Sequence, residues 1–228
     1  MELAYGLGNF SVYGSNNFEN IIQYVLPKIS YIETADSYLY PANEKNLSRY
    51  ISGTNCKIIT KVGGFKTNLP PKLNKAVIQN RLYQKYLFTR LGTIGKFDPT
   101  IKPEQIQLNA EKSTSLLGKK IDIYMLHGVP ENLEDWIAAM LQLKSSNLVD
   151  NIGISIDTYP EFNLDWADYI LGPLELLETL KLNSKLIIRN SFMRSMDLIR
   201  ERFTDESIIL TGTRNLNHFD YFVNALSK

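Results

Sequence analysis

Short apolar runs of strand-forming residues alternate with segments of helical periodicity along the whole chain, and this alternation limits the possible folds more than any other feature. Strands that alternate with helices form βαβ units, whose strands lie parallel in one sheet. We count eight strand-like runs. Eight parallel strands can close into a barrel, whereas seven would leave sheet edges exposed. The sequence therefore predicts a (β/α)8 barrel that takes up all 228 residues as one domain.

The predicted strands and helices follow one another in regular order. The strands are expected at residues 3–8, 57–62, 121–127, 151–156, 185–190 and 207–212, with one opening at residue 31 and one within residues 166–173. The helices are expected at residues 18–26, 43–51, 103–117, 131–143, 174–182, 196–203 and 217–226. The stretch between the first strand and the first helix contains Asn, Ser and Gly, so it is predicted to be a loop.

A long segment separates the third strand from the next confident helix. Residues 63–101 far exceed the few residues that usually connect a strand to a helix. Within this segment, residues 72–90 are rich in Tyr, Gln and Leu and could form a helix. We expect this insertion to be a lid or specificity element over the barrel end, or else an oligomer contact, and the sequence favours neither.

Composition and charge argue against several classes of protein. The 25 basic and 24 acidic residues give a net charge of +1, which leaves no electrostatic footprint for nucleic acid or an anionic membrane. The single cysteine, Cys56, excludes an internal disulfide and is expected to be a small buried hydrophobe. No Cys and His residues cluster at the spacing of a metal site. Without a signal-peptide pattern or a long apolar run, the chain is expected to be cytoplasmic.

Four side chains with acid–base chemistry stand at or just after the ends of successive predicted strands. They are Glu33 and Tyr38, Lys61, and His127. Parallel barrels do their chemistry at the carboxyl ends of the strands, so we expect these side chains to face one cleft. A phenol with a reference pKa of about 10 is a weak acid, but a neighbouring ammonium favours the phenolate, and an imidazole can orient a carbonyl oxygen. The set therefore predicts proton donation to an oxygen.

The lysine of this set requires a partner. Lys61 lies within an otherwise apolar run at the end of a strand, where a charge without a carboxylate partner would be costly. Glu33 is the first candidate for that partner. Asp36 is the second, although it could instead cap the next helix.

The residues and their order resemble a known enzyme family. The segments Glu33-Thr-Ala-Asp-Ser-Tyr38, Ile-Thr-Lys61, Asp122-Ile-Tyr-Met-Leu-His127 and Ile152-Gly-Ile-Ser155 are similar to the signature series of the aldo-keto reductases. The resemblance implies that Tyr38 is the proton donor, that Lys61 adjusts its pKa, that His127 orients the carbonyl and that Glu33 supplies the carboxylate. The family has Asp where this chain has Glu33, so the additional methylene requires a backbone shift or a different contact.

The same resemblance implies a nicotinamide dinucleotide, with NADP(H) expected, and no metal. The implied cofactor-binding residues are Ser155, Arg189, Asn190, Thr213 and Arg214. An arginine at the start of a helix suits a phosphate. Other positions depart from the family: Ile156, Leu171 and Leu174 replace polar or aromatic residues, and Tyr221 and Phe222 stand where the family has Glu and Asn. The expected dinucleotide site is therefore only partly retained.

Three functions follow from these observations. The first is hydride transfer between a nicotinamide cofactor and a small carbonyl or alcohol, with Tyr38 as the proton donor. The second is an isomerisation, elimination or cyclisation in the same barrel, in which Tyr38, Lys61 and His127 transfer protons without a cofactor. The third is a barrel without catalytic activity that binds a partner.

Overall fold

The computed structural model describes residues 1–13, 17–38, 40–64, 97–180, 184–189, 199, 201, 203 and 206–227. Eight parallel strands form a closed barrel in which each strand pairs with its neighbour in sequence and the last pairs with the first. The strands are β1 (Glu2–Gly6), β2 (Tyr31–Glu33), β3 (Lys57–Val62), β4 (Ile121–His127), β5 (Val149–Ser155), β6 (Tyr169–Pro173), β7 (Lys185–Arg189) and β8 (Ile208–Thr211). The predicted (β/α)8 barrel is confirmed.

Helices connect the strands on the outside of the barrel. They are α1 (Gly8–Tyr13), α2 (Phe18–Val25), α3 (Glu44–Ile51), α4 (Ile106–Leu117), α5 (Leu133–Ser145), α6 (Leu174–Leu177) and α7 (Leu216–Leu226), with 3-10 turns at Leu26–Lys28 and Pro103–Gln105. Local sequence explains their ends. The Asn43 side chain accepts a hydrogen bond from Asn46 N at 2.9 Å and so caps α3, and Gly118 ends α4 in the left-handed conformation with φ 68°.

The barrel has two apolar layers, because successive residues of a strand point to opposite faces. One layer fills the barrel interior with Ala4, Tyr31, Ile59, Ile123, Met125, Tyr169, Leu171, Ile187, Ile208 and Leu210. The other lies between the strands and the helices and includes Ile58, Tyr124, Ile152, Ile170, Ile188 and Ile209 with helical residues such as Leu47 and Phe219. Both layers consist of residues with little or no exposure, so the interior is a packed core rather than a channel.

Three predicted elements differ from the structure or lie outside the described residues. Residues 8–13 form a short helix where a loop was expected. Leu7 O accepts from the N–H groups of Phe10 and Ser11, and the side chains of Leu7 and Phe10 are buried. Helix α6 ends at Leu177 rather than at residue 182, because the chain tightens there into hydrogen bonds three residues apart. The helix expected at 196–203 lies mostly outside the described residues.

The two ends of the long insertion meet at the barrel mouth. Gly64 and Phe97 form an antiparallel bridge, and Asp98 N donates to Gly63 O at 2.8 Å. The Phe97 ring packs edge-on against Trp136 of α5, with the ring centres 4.7 Å apart. Gly63 has φ 93°, and a Cβ there would lie 2.1 Å from the Phe97 ring, so only glycine fits. The helix and lid expected between these ends fall on residues 65–96, outside the described residues.

Among the described residues, none of the helices combines the length and the apolar character needed to cross a bilayer.

Candidate active site

The alternation of the strands brings five polar side chains to the inner, carboxyl end of the barrel. Each lies two residues beyond an inner residue of its own strand, so it points to the same face. The five are Glu33 of β2, Lys61 of β3, His127 of β4, Ser155 of β5 and Arg189 of β7. The spacing of the interior apolar residues therefore determines which polar residues surround the mouth.

Glu33 connects two of the predicted catalytic groups. Its Oε1 forms an ion pair with Lys61 Nζ and accepts a hydrogen bond from Tyr38 Oη at 2.9 Å. Both charged residues are buried, with 2% of Glu33 and 4% of Lys61 exposed. A buried charge is tolerated only with a close partner of opposite sign, so this pair belongs to the core as well as to the mouth.

The expected pairing of Lys61 with Glu33 is therefore confirmed. Asp36 is tied to Lys61 in another way, because its backbone N–H donates to Lys61 O at 3.0 Å. Burial is the largest cause that raises the pKa of Tyr124, and the charge of Asp36 is the second. The Tyr124 ring belongs to the layer between strands and helices. The Asp36 carboxylate thus acts on the outer layer of the barrel.

His127 lies beside Tyr38 at the mouth, with the ring centres 6.1 Å apart and the planes at 75°. Its Nδ1 is buried and has no hydrogen-bond partner among the described residues. Burial, followed by the charges of Lys61 and Arg189, holds the pKa of His127 well below its ordinary value. The imidazole is therefore neutral at physiological pH.

The pKa of Tyr38 differs from the expectation. Burial raises it well above its ordinary value, Glu33 raises it further through its charge and its hydrogen bond, and Arg189 acts in the opposite direction. The fall in this pKa that was expected from Lys61 is not observed, because burial and Glu33 both raise it, and the role of Lys61 stays a prediction. Lys61 Nζ lies 5.5 Å from the centre of the Tyr38 ring. At neutral pH Tyr38 is therefore a protonated phenol.

Three glycines make room for these side chains, because a Cβ at any of the three positions would approach one of them closely. A Cβ on Gly6 would lie 3.0 Å from Glu33 Oε2, and one on Gly8 would lie 3.1 Å from Tyr38 Oη. A Cβ on Gly64 would lie 2.4 Å from His127 Nδ1, closer than real Cβ contacts. Gly6 ends β1, Gly8 begins α1 and Gly64 lies at the base of the insertion, so both parts of the chain shape the mouth.

A second polar group lies at the ends of β5 and β7, next to His127. Arg189 Nη2 donates to Ser155 Oγ at 3.3 Å, and Arg189 Nη1 donates to Asp157 Oδ1 at 2.6 Å. Ser155 is 5% exposed, whereas the Asp157 and Arg189 side chains are 55% and 36% exposed. Sequence reasoning included Ser155 and Arg189 but missed Asp157, which lies two residues beyond Ser155 and would have been found by following β5 into its loop.

The remaining predicted cofactor residues lie at the start of α7. Thr213 O accepts from Tyr5 Oη at 2.5 Å, and Thr213 Oγ1 accepts from Asn215 N at 3.1 Å, so this turn is fixed to the barrel. Arg214 is exposed on the same turn, and its charge counters the rise in the pKa of Tyr5 that burial causes. The first turn of the 11-residue helix has no acidic residue. Asn190 lies outside the described residues.

Two of the departures from the family pattern have a structural role. Leu171 is fully buried in the barrel interior, and Phe222 is 3% exposed in the layer between α7 and the strands. Neither position can offer a polar group to a ligand. Among the described residues, no group of three or more His, Cys, Asp or Glu side chains could hold a metal ion.

Comparisons with known proteins bear on the fold. No protein-family model and no curated protein matches the sequence. Among solved structures, an aldo-keto reductase from Bacillus halodurans in its holo form matches 100% of this chain and 87% of its own, at 18% identity and a TM-score of 0.65. A thermostable aldo-keto reductase in complex with the inhibitor epalrestat matches 99% of this chain and 89% of its own, at 14% identity and a TM-score of 0.64.

A third solved structure, the glycerol dehydrogenase of Gluconobacter oxydans, matches 93% of this chain, which spans 64% of that protein, at 16% identity and a TM-score of 0.62. Likeness at such low identity is a statement about fold. In its fold, the chain resembles the aldo-keto reductases.

Proposed function

We propose that this protein is an oxidoreductase of the aldo-keto reductase type, which transfers a hydride between a nicotinamide cofactor and a small carbonyl compound or alcohol, with Tyr38 as the proton donor. The observation that carries the proposal is the contact of Tyr38, the Lys61–Glu33 ion pair and His127 at one end of the barrel. A phenol, a buried ion pair and a neutral imidazole are suited to protonating a carbonyl oxygen.

Tyr38 provides the proton. Its raised pKa keeps the phenol protonated at neutral pH, so the acid form is always available. In the resting site the hydroxyl donates to Glu33, and it must exchange this hydrogen bond for one to the carbonyl oxygen. The Tyr38 O–H bond then breaks as the O–H bond of the alcohol forms. The charge of Arg189, which favours the ionised form of Tyr38, stabilises the resulting phenolate.

His127 orients the carbonyl. A buried N–H without an acceptor is rarer and more costly than an acceptor without a donor, so the proton of the neutral ring belongs on Nε2 rather than on the unpartnered Nδ1. In this tautomer Nε2–H can donate to the carbonyl oxygen that Tyr38 protonates. The role requires the neutral ring, and the lowered pKa of His127 supports that form.

The chain offers groups that fit parts of a nicotinamide dinucleotide. A nicotinamide, when bound, supplies the hydride that adds to the carbonyl carbon. Arg214 and the start of α7 suit a phosphate, since the first turn has no acidic residue and the positive end of the helix dipole favours an anion. Ser155 accepts from Arg189 and keeps its own hydroxyl proton for an amide oxygen. Of the described residues that the resemblance implies, Ser155, Thr213 and Arg214 would hold the cofactor, whereas Arg189 already donates to Asp157.

A second function, proton transfer without a cofactor, is favoured by one observation. Ser155 and Arg189 are already hydrogen-bonded to each other, and the neighbouring interior residue Leu171 is apolar. Under this alternative, Tyr38, Lys61 and His127 would run an isomerisation, elimination or cyclisation.

Titration of the folded protein with NADPH and NADH, followed by nucleotide fluorescence and calorimetry, tests the redox function. We expect NADPH to bind, Arg214→Gln to weaken binding, and the exposed control Arg49→Gln on α3 to leave it unchanged. Tyr38→Phe should bind NADPH normally and fail to reduce carbonyl compounds. If neither nucleotide binds, the redox function is wrong. Turnover without nucleotide that disappears in Tyr38→Phe would establish the alternative.

A further inference from the structure

Arg189 reaches across the barrel mouth toward the reacting groups. It ends β7, but its guanidinium contacts Ser155 of β5, so the side chain extends over the end of β6. Ser155 in turn is paired in register with His127 of β4. The guanidinium therefore lies on the inner side of the mouth, toward Tyr38 and His127, rather than toward the outer surface of the barrel.

The contacts of Arg189 leave much of its binding capacity unused. A guanidinium has five N–H donors, and among the described residues one is given to Asp157 and one to Ser155. Asp157 binds through a single oxygen rather than in the two-pronged arrangement that makes arginine–carboxylate pairs strong. With more than half of its side chain exposed, Asp157 can turn aside for a second anion.

Lys61, the other cation that the described residues bring to the inner mouth, differs from Arg189. Lys61 is almost fully buried and pairs with Glu33 at close range, so it has no capacity for a ligand charge. Arg189 is about one-third exposed. An anionic ligand that entered this end of the barrel would meet Arg189 as an accessible donor beside the phenol and the imidazole.

We propose that Arg189 binds the carboxylate of the substrate, so that the substrate is an oxo acid whose carbonyl lies against Tyr38 and His127. A planar carboxylate matches the guanidinium fork in two parallel hydrogen bonds. Asp157 and Ser155 are positioning residues that hold the fork over the mouth until the substrate arrives. The reaction assigned to such a substrate rests on the proposed function, whereas the binding of the carboxylate does not.

A carboxylate site at Arg189 predicts that a change of this one residue alters the choice of substrate. A site built to bind a charged group rejects an analogue that lacks the charge, because its own donor is then left unpaired. Uncharged aldehydes and ketones should therefore be poor ligands compared with oxo acids of the same size. Arg189→Met would remove this discrimination while keeping the length of the side chain.

Proton NMR of the histidine rings tests the proposal directly. The chain has only two histidines, and His218 is exposed on α7, so its signals serve as an internal control for His127. The probe is oxamate, an oxo acid analogue that cannot be reduced, and oxamide is its uncharged counterpart. Both are titrated with and without saturating NADP+, and inorganic phosphate is added as a competitor to distinguish a carboxylate site from a general anion site.

We expect oxamate to shift the His127 signals in a saturable way, with His218 unaffected and oxamide without effect. Arg189→Met should raise the Kd of oxamate at least ten-fold, Arg189→Lys should raise it less, and Arg49→Met should leave it unchanged. Phosphate should compete only weakly. Equal binding of oxamide by the wild-type protein would overturn the proposal, as would strong phosphate competition or an unchanged Kd in a folded Arg189→Met variant.

The two proposals can fail separately. Oxamate binding that depends on Arg189 in a protein that never reduces a carbonyl would refute the reductase function and leave the carboxylate site standing. Reduction of uncharged carbonyl compounds by a protein that does not bind oxamate in either nucleotide state would refute the carboxylate site alone.

Discussion

Removing the charge of Glu33 should destabilise the protein far more than breaking an ion pair on its surface. The Glu33 and Lys61 side chains are 3% and 5% exposed, so Glu33→Gln leaves the ammonium buried without a counter-charge. Loss of one partner of a buried pair typically costs about 3–5 kcal/mol. Because the amide oxygen of Gln can still accept hydrogen bonds from Tyr38 and Lys61, we expect the lower end, about 3 kcal/mol. For a chain of this size that corresponds to a fall in Tm of about 6–12 °C.

Urea unfolding of Glu33→Gln, Lys61→Met and the double variant measures the effect. The double variant should lose less stability than the sum of the single variants by about 2 kcal/mol, because neither charge is then left alone. The matched control is Lys28→Met, which breaks a surface pair with Asp220 whose side chains are 32% and 36% exposed and should cost far less than Glu33→Gln. A loss below about 1 kcal/mol for Glu33→Gln, or additive single losses, would refute the reasoning.

Three further outcomes are expected. The pKa of His127 is lowered in the folded state, so below the ordinary histidine pKa the unfolded state binds a proton that the folded state does not. As the pH falls from 6.5 to 5, the free energy of unfolding should therefore decrease by up to about 1.4 kcal/mol per pH unit. Urea unfolding at pH 8 and pH 5 should show this loss in the wild type and in His218→Gln but not in His127→Gln. Gly64→Ala should displace the His127 NMR signals and reduce carbonyl turnover, whereas Gly172→Ala, whose Cβ would meet Leu177 Cδ2 at 3.2 Å and Ile156 O at 3.3 Å rather than His127, should do neither. Burial raises the pKa of the Cys56 thiol to about 12, so the native protein at pH 8 should not react with a thiol reagent until it unfolds, and rapid labelling would contradict this.

The barrel and three of its polar residues were predictable because they depend on patterns along the chain. A repeating order of strands and helices determines the fold, and the two-residue period of each strand determines that Glu33, Lys61 and His127 point inward. Burial of Cys56, just before β3, is confirmed, and it was predicted because a free cysteine behaves as a small hydrophobe. Local sequence is sufficient wherever the information lies within one strand.

The electrostatics of the site were not predictable in this way. The sequence places an ammonium near the phenol, but it does not show that Tyr38 is buried or that its hydroxyl donates to Glu33, and these two effects raise the pKa of Tyr38. The Arg189–Asp157 pair joins residues 32 positions apart, and nothing in the sequence marks them as partners. Contacts between strands depend on the register and closure of the whole barrel.

Short elements were also missed. The six residues of α1 span fewer than two helical turns, too few for helical periodicity to be recognised. Their helix depends on Leu7 and Phe10, both fully buried against the barrel. Packing from outside the segment, rather than intrinsic propensity, stabilises a helix of this length.

Transfer of deuterium tests the central claim most directly. The protein is incubated with NADPH that carries deuterium at the transferable position of the nicotinamide, together with a panel of small aldehydes, ketones and oxo acids, and the alcohols are analysed by mass spectrometry. The account predicts deuterium on the carbinol carbon of at least one product with the wild type, and none with Tyr38→Phe, although that variant still binds NADPH. Absence of labelled alcohol across the panel, or equal labelling by Tyr38→Phe, would contradict it.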